Sequence, residues 1–270
     1  MALHHADVEA ITVVEGNVPL EQALQNALYT VELAGAGVPV HAGLSGARGN
    51  AEHVHGHDGM GDIGLPLRGR SPAGDDAVDV LADALQDPGV TLLTLGPLTN
   101  VAAALARATP RLERIVMMGG TSDDVGNVTP VAEYNIWADP ESAAAVFTSG
   151  APITMVGWDV SRKYAVFPPD DAAELRALGP LGEFAVDIQR MLVEFTRTQT
   201  HLAGFDLPDP IATAVAIDPS VATDTRPGRV EVDLETAQTL VDWSAEPNAD
   251  VVVAASRERF VALLRDALRG

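Results

Sequence analysis

The chain has 270 residues, of which 47% are hydrophobic and none is a cysteine. This composition excludes disulfide bonds and a cysteine nucleophile, and it predicts one well-filled domain over residues 1–270. The net charge of -21 repels phosphate backbones and therefore disfavours nucleic-acid partners. Because no apolar segment is long enough to span a bilayer and no leader peptide is evident, we expect a cytoplasmic protein without a membrane partner.

Short apolar segments alternate with amphipathic segments through the first 160 residues. Strands are predicted over residues 8–16, 38–43, 90–96, 114–120 and 152–160. Helices are predicted between them, over residues 20–35, 75–86, 97–108 and 139–149. This alternation is typical of an α/β fold with a doubly wound, mostly parallel sheet and helices on both faces.

The C-terminal part of the chain has a different pattern. Residues 169–217 are predicted to be mainly helical, and GRVEVDL and AQTLVDWS (228–244) are predicted to form a small β-hairpin. ADVVVAAS (249–256) predicts a late strand. Ser256 then caps a closing helix over residues 256–269.

The first residues are unusual for this fold class. MALHHAD (1–7) has the pattern of the last turns of a helix, with no strand before it. In a parallel sheet the strand before such a helix is usually central. We therefore expect that the first strand is missing before Met1, which exposes two sheet edges and part of the core.

Polar side chains follow most of the predicted strands, at the end of the sheet where α/β proteins bind ligands. Taken one at a time, such residues more often cap helices or form turns. As a set on one rim, amides and carboxylates suit a ligand with several hydroxyl groups. The set contains Asn17, His53, His55, His57, Asp58, Thr99, Asn100, Asn127, Glu133, Asn135 and Asp159.

The segment HVHGHDGMG (53–61) admits several interpretations. Its alternating histidines lack the helical spacing of a convincing zinc motif. Gly59, Gly61 and Gly64 match a dinucleotide fingerprint by letter, but they do not lie between a strand and a helix, which disfavours a nicotinamide dehydrogenase. We expect a mobile loop over the site with one histidine facing the ligand.

Six segments together resemble a known family. They are VVEGN (13–17), HGHDGMG (55–61), LGPLTNVA (95–102), RIVMMGG (114–120), GNVTPVAEYNIWADPESA (126–143) and DPIATAVAIDPS (209–220). In sequence and order they resemble the inosine–uridine-preferring nucleoside hydrolases, over nearly the whole chain. The resemblance implies hydrolysis of the N-glycosidic bond of purine or pyrimidine ribonucleosides, to ribose and free base, by a calcium-activated water.

The resemblance also implies roles for individual residues. The residues that match the family's ribose contacts are Asn17, Met118, Asn127, Glu133 and Asn135. The backbone carbonyl of Thr99 and the carboxylate of Asp209 match calcium ligands, and His55 matches a histidine on the base side. A homodimer or homotetramer is expected.

The sequence departs from the family pattern in two ways. The family's D-x-D-x-G-x-D-D motif supplies calcium ligands and the general-base aspartate. We expect this motif upstream of Met1, and it is absent from the residues given. We therefore expect weak or absent calcium binding and little activity, with a catalytically dead homologue or a non-catalytic ribose binder as the alternative. Pro208 stands where many relatives have a histidine that protonates the leaving base. Either His201, His55 or Tyr164 replaces that histidine, or the leaving base is activated in another way.

Overall fold

The strands pair into one six-stranded sheet and two small two-stranded sheets in the computed structural model, which describes residues 1–200 and 202–269. The strands are β1 Ile11–Val13, β2 Val40–Ala42, β3 Thr91–Thr94, β4 Arg114–Met118, β5 Ile153–Val156, β6 Val166–Phe167, β7 Phe205–Asp206, β8 Ala222–Val232, β9 Thr239–Asp242 and β10 Ala249–Ala255. The helices are α1 Ala2–His5, α2 Leu20–Leu33, α3 Glu52–His55, α4 Ala77–Ala84, α5 Thr99–Leu105, α6 Tyr134–Ala138, α7 Pro140–Phe147, α8 Trp158–Tyr164, α9 Pro169–Arg176, α10 Pro180–Asp187, α11 Arg190–Phe195, α12 Pro208–Ile217 and α13 Arg257–Arg269.

The large sheet has the strand order β3-β4-β5-β10-β8-β9. β3, β4, β5 and β10 run parallel, whereas β8 is antiparallel to both β10 and β9. This confirms the predicted α/β fold with a mostly parallel sheet. The predicted small β-hairpin is present as β8 and β9. β8 begins earlier than predicted, at Ala222, and also pairs with β10 of the main sheet.

Two parallel strands have an edge without a strand partner in the described residues. β1 pairs with β2 alone, and β3 pairs with β4 alone. The ends of these two strands are close together, because a Cβ added to Gly96 would lie 3.3 Å from Val14 Cγ1.

The main sheet has an apolar core on each face. Alternate residues of β4 point to opposite faces, so Ile115 and Met117 join one core and Val116 and Met118 join the other. The first core is covered by α4, α5 and α7, and the second by α8, α12 and α13. Helices therefore cover both faces, as a doubly wound sheet requires.

Several element boundaries differ from the prediction. The segment 152–160 was predicted as one strand, but β5 ends at Val156 and α8 begins at Trp158. The closing helix is capped as expected, because Ser256 Oγ accepts a hydrogen bond from the Arg259 backbone N–H at 3.3 Å. No helix in the described ranges has the length and apolar character needed to cross a membrane.

Candidate active site

Glu133 is the buried carboxylate at the centre of the site. It lies just before α6 and accepts backbone N–H groups on both oxygens: Asn135 at 3.0 Å on Oε1, and Gly120 and Ile136 at 2.8 and 3.2 Å on Oε2. Only 2% of its surface is exposed. Burial outweighs these bonds and raises the pKa of Glu133 to about 7.

Gly120 brings the end of β4 close to Glu133. It has a positive φ of 71°, and an added Cβ would lie 2.8 Å from Thr239 Cγ2 and 2.9 Å from Met155 Cε. Only glycine combines this backbone conformation with so little space. The turn after Met118 therefore directs the Gly120 N–H at the carboxylate.

Asn135 connects α6 to the end of β4. Its Nδ2 lies 3.2 Å from both the carbonyl oxygen and the Sδ atom of Met118. These contacts occupy the donor side of the amide and leave Oδ1 as an acceptor for a ligand hydroxyl. The sulfur and the amide of this pair were both predicted to lie in the ribose pocket, and the structure places them in contact.

Asn127 is held beside the same helix. Its Oδ1 accepts the Tyr134 backbone N–H at 2.8 Å, which leaves Nδ2 as a donor. Asn127 and Asn135 therefore offer opposite hydrogen-bonding groups. Asn127 is bonded to the first residue of α6, and Asn135 is the second residue of that helix. This arrangement suits adjacent hydroxyl groups that can each donate and accept.

Asn17 is exposed and is linked to α6 indirectly. Its carbonyl oxygen accepts the Ala51 N–H at 2.8 Å, and the Tyr134 hydroxyl donates to the Gly49 carbonyl at 2.8 Å. The segment 49–51 thus joins the end of β1 to the N-terminus of α6. The structure brings Asn17 to the same rim, although it shows no direct bond from Asn17 to Glu133 or Asn135.

Asp209 lies in the first turn of α12, directly after Pro208. Burial, with smaller contributions from the nearby carboxyls of Glu133 and Asp206, raises the pKa of Asp209 to about 7. Pro208 occupies the first helical position, where its missing N–H has no cost. The predicted metal ligand therefore shares a strongly acidic region with the predicted sugar contact Glu133.

Asp206 is a buried residue that the sequence analysis did not single out. Its Oδ2 accepts hydrogen bonds from Trp158 Nε1 at 2.9 Å and Ser161 Oγ at 2.6 Å. This network ties β7, which directly precedes α12, to α8. The only sequence signal for it is an aspartate between apolar residues in GFDLP, since its two donors lie more than 40 positions away.

Thr99 and Asn100 have structural contacts at the start of α5. Thr99 Oγ1 donates to Asp139 Oδ2 at 2.5 Å. Asn100 Nδ2 donates to the Val13 carbonyl at 3.0 Å, and its Oδ1 accepts the Leu44 N–H at 2.8 Å. Asn100 therefore joins the end of β1 and the segment after β2 to α5, a structural role in keeping with the simpler interpretation of the rim residues.

The histidine segment forms the short helix α3 and packs against α11. The His53 ring contacts Phe195 edge-on at 6.0 Å between centroids, beside a cavity of about 640 Å³ lined by Asn50, Glu52, His53, His57, Asp62 and Met191. Burial, with a smaller contribution from His53, lowers the pKa of His55 to about 4. His55 is therefore a neutral imidazole at neutral pH.

The other two suggested proton donors lie elsewhere. The Tyr164 side chain packs against the core formed with α12 and α13. His201 lies outside the described residues. Asp159, another residue of the predicted rim, is buried and accepts the Ser122 N–H and hydroxyl at 3.1 and 2.9 Å, so it fixes the loop after β4.

The carboxylates around Asp209 supply only some of the ligands that a cation site needs. In the described chain, no group of three close histidine, aspartate or glutamate ligand atoms includes Asp209. Calcium takes about six to eight oxygen ligands. Asp209 and the Thr99 carbonyl together supply too few of them, so these residues alone do not fit a calcium ion.

Comparison with known proteins identifies the family. Residues 1–262 match the sequence model of the inosine-uridine preferring nucleoside hydrolases. The chain belongs to the nucleoside hydrolase family. This confirms the resemblance that the six sequence segments indicate.

Curated relatives of this nucleoside hydrolase act on ribonucleosides. The pyrimidine-specific ribonucleoside hydrolase RihA of Shewanella sp. (strain MR-7) is 35% identical over 289 residues, covering 99% of this chain and 90% of the relative. Uridine nucleosidase 1 of Arabidopsis thaliana is 35% identical over 251 residues, covering 87% of this chain and 74% of the relative. The homologues thus hydrolyse N-glycosidic bonds.

Solved structures of the family have the same fold. The purine-preferring ribonucleoside hydrolase from Gardnerella vaginalis matches with a TM-score of 0.88 and 32% identity, covering 98% of this chain and 91% of that chain. The plant nucleoside hydrolase PpNRh1 matches with a TM-score of 0.89 and 31% identity, with the same coverage of both chains.

Proposed function

We propose that this protein hydrolyses the N-glycosidic bond of purine or pyrimidine ribonucleosides. Water adds its oxygen to the anomeric carbon, the bond from that carbon to the base nitrogen breaks, and the base leaves with a proton. The products are ribose and free base. The observation that carries the proposal is the contact of Met118 with Asn135 beside the buried carboxylate of Glu133, in a chain of this family.

Sugar binding is the best-supported part of the proposal. Asn135 Oδ1 can accept a hydroxyl proton, and Asn127 Nδ2 can donate to a hydroxyl oxygen. Glu133 already accepts three N–H groups, and a carboxylate has about four lone-pair sites, which leaves one for the ligand. A ribose with its adjacent hydroxyls matches this mixed set, and Asn17 would complete it from the rim.

The acidic character of the site supports the chemistry. Cleavage of an N-glycosidic bond places positive charge on the ribose ring in the transition state. The carboxyls of Glu133 and Asp206 are close enough to Asp209 to raise its pKa, so the three acidic groups repel one another. Positive charge on the sugar relieves their mutual repulsion, so it is stabilised more than the neutral ground state.

Calcium is the cation that the family implies. Asp209 and the Thr99 carbonyl are the residues that we propose would contact it, and a bound calcium ion would supply an oriented water of lowered pKa. These two residues do not form a complete calcium site, so the proposed reaction includes no step that depends on calcium.

Protonation of the leaving base is assigned to no single residue. Pro208 cannot donate a proton, and the low pKa of His55 leaves its imidazole neutral at neutral pH. His55 can still donate one N–H hydrogen bond to a base. The names of the relatives include both pyrimidine-specific and purine-preferring enzymes, so we propose ribonucleosides as a class.

A non-catalytic ribose or nucleoside binder is the second candidate. The incomplete set of calcium ligands around Asp209 favours it, since sugar contacts can remain where water activation is lost. For either candidate we propose a cytoplasmic protein that forms a homodimer or homotetramer and has neither a nucleic-acid nor a membrane partner.

The test separates binding from turnover. The chain is incubated with inosine, guanosine, adenosine, uridine or cytidine, with and without calcium, while free base is followed by chromatography and nucleoside binding by calorimetry. Release of base from at least one nucleoside supports the hydrolase. Binding without release supports the binder, and neither binding nor release would refute both.

A further inference from the structure

Two histidines at the start of the chain meet an aspartate at its end. His4 and His5 belong to α1 and Asp266 belongs to α13. One ligand atom from each lies within 4.8 Å of the others, which makes this the one such group of three in the part of the chain that the structure describes. His4 Nε2 is 3.4 Å from Asp266 Oδ2. The group does not include Glu133, Asn135 or Asp209.

The backbone of α13 orients one of the two imidazoles. His5 Nε2 lies 3.0 Å from the Leu263 carbonyl oxygen. A nitrogen that donates to a carbonyl carries the proton, so Nδ1 keeps the lone pair that a metal needs. Metal-binding histidines are commonly held in this way by a second hydrogen bond. Leu263 and Asp266 are one turn apart on α13, so the same helix face orients His5 and pairs with His4.

The spacing and chemistry of the group suit a transition metal. In a tetrahedral site with bonds of about 2.0–2.1 Å, neighbouring ligand atoms are about 3.4 Å apart. The distance from His4 Nε2 to Asp266 Oδ2 is 3.4 Å. Two imidazole nitrogens and one carboxylate oxygen form a ligand set for zinc and similar ions, whereas calcium prefers oxygen ligands alone.

We propose that His4, His5 and Asp266 bind a divalent transition-metal ion such as Zn²⁺. Water completes the coordination, since two of the three side chains are exposed. The ion links α1 to α13, so it connects the first and last helices of the fold. It stabilises the folded state because the unfolded chain does not bring the three ligands together.

The test is a zinc titration of the full chain by calorimetry, with excess calcium present to saturate any oxygen-rich site. Thermal unfolding is recorded with and without zinc. We expect a stoichiometric site and a zinc-dependent rise in Tm. Asp266→Asn and the double variant His4→Ala/His5→Ala should each weaken zinc binding by roughly tenfold or more, which is the loss seen even when an outer partner of a ligand is removed.

A matched control is His57→Ala. The His57 side chain is 87% exposed and pairs with Glu52 at 2.9 Å, so it is a histidine–carboxylate pair without a third ligand. The zinc affinity of the His57→Ala variant should equal that of the unchanged protein. If the double variant does not fold, the zinc affinity of Asp266→Asn tests the proposal, because the Asp266 side chain is 63% exposed and its substitution should not prevent folding. Equal zinc affinity in the unchanged protein and Asp266→Asn, or no zinc binding at all, would overturn the proposal.

Discussion

The buried carboxyl of Glu133 gives a prediction about the pH dependence of stability. In the folded protein its pKa is raised from 4.5 to about 7, because burial disfavours the charged form. Between these two values the unfolded chain loses its proton while the folded chain keeps it. Unfolding is therefore increasingly favoured as pH rises from 4.5 to 7, and the stability from the protonated form is lost across that range.

The size of the effect follows from the difference between the two pKa values. At about 1.4 kcal/mol per pH unit, a rise from 4.5 to about 7 corresponds to about 3 kcal/mol. Glu133→Gln keeps the shape and one oxygen acceptor but cannot ionise. Relative to the unchanged protein, this variant should therefore gain about 3 kcal/mol between pH 4.5 and pH 8.

The assay is urea unfolding at several pH values, in a chelator so that no cation neutralises the site. The control is Glu141→Gln, the same substitution at a side chain that is 66% exposed. Glu141→Gln should not reproduce the gain of Glu133→Gln, because the Glu141 side chain is not buried. Stability curves of Glu133→Gln and the unchanged protein that run parallel from pH 4.5 to pH 8 would refute the argument.

Four further substitutions test other parts of the account. Asn135→Ala should lower kcat/KM at least about tenfold, since the loss of one hydrogen bond of about 1.4 kcal/mol has that effect. An unchanged kcat/KM would show that Asn135 does not bind the substrate. Asp209→Ala should abolish any calcium dependence of activity, and an equal calcium affinity by calorimetry would contradict that role. Asp206→Ala leaves two buried donors unpaired, and each unpaired donor costs about 1–3 kcal/mol, so the free energy of unfolding should fall by roughly 2–6 kcal/mol. A fall of less than about 1 kcal/mol would count against a stabilising role of the Asp206 hydrogen bonds. The pKa of His55 is lowered to about 4, so the folded protein loses stability as pH falls from 6.5 to 4. His55→Gln should remove about 3 kcal/mol of that loss, measured from unfolding curves at acid pH. A free energy of unfolding that falls equally in the variant and the unchanged protein over this range would contradict the low pKa.

The fold could be predicted where the hydrophobic pattern has a single explanation. Continuous apolar runs gave β3, β4 and β5, and the cap at Ser256 followed from its place before an amphipathic helix. The first half of β8 could not be predicted in this way. Its residues 222–227 are mostly exposed and include Pro227, so they lack the alternation of a half-buried strand, and pairing with β10 decides their conformation.

The site could be predicted as a set of residues but not as a set of contacts. The motifs indicated Met118, Glu133 and Asn135, and the structure brings these three together. Their local bonds depend on the turn at Gly120, which the sequence does not specify. The Asp206 network joins residues more than 40 positions apart, and no local pattern marks such a pair.

The most direct test of the central claim is hydrolysis of uridine and inosine in ¹⁸O-labelled water without phosphate, followed by mass spectrometry of the sugar. Hydrolysis predicts free base together with ribose that carries one ¹⁸O atom at the anomeric carbon when it is trapped before exchange. The rate should fall at least about tenfold in Asn135→Ala. Nucleosides that bind and remain intact through many hours would contradict catalysis and leave a ribose-binding protein.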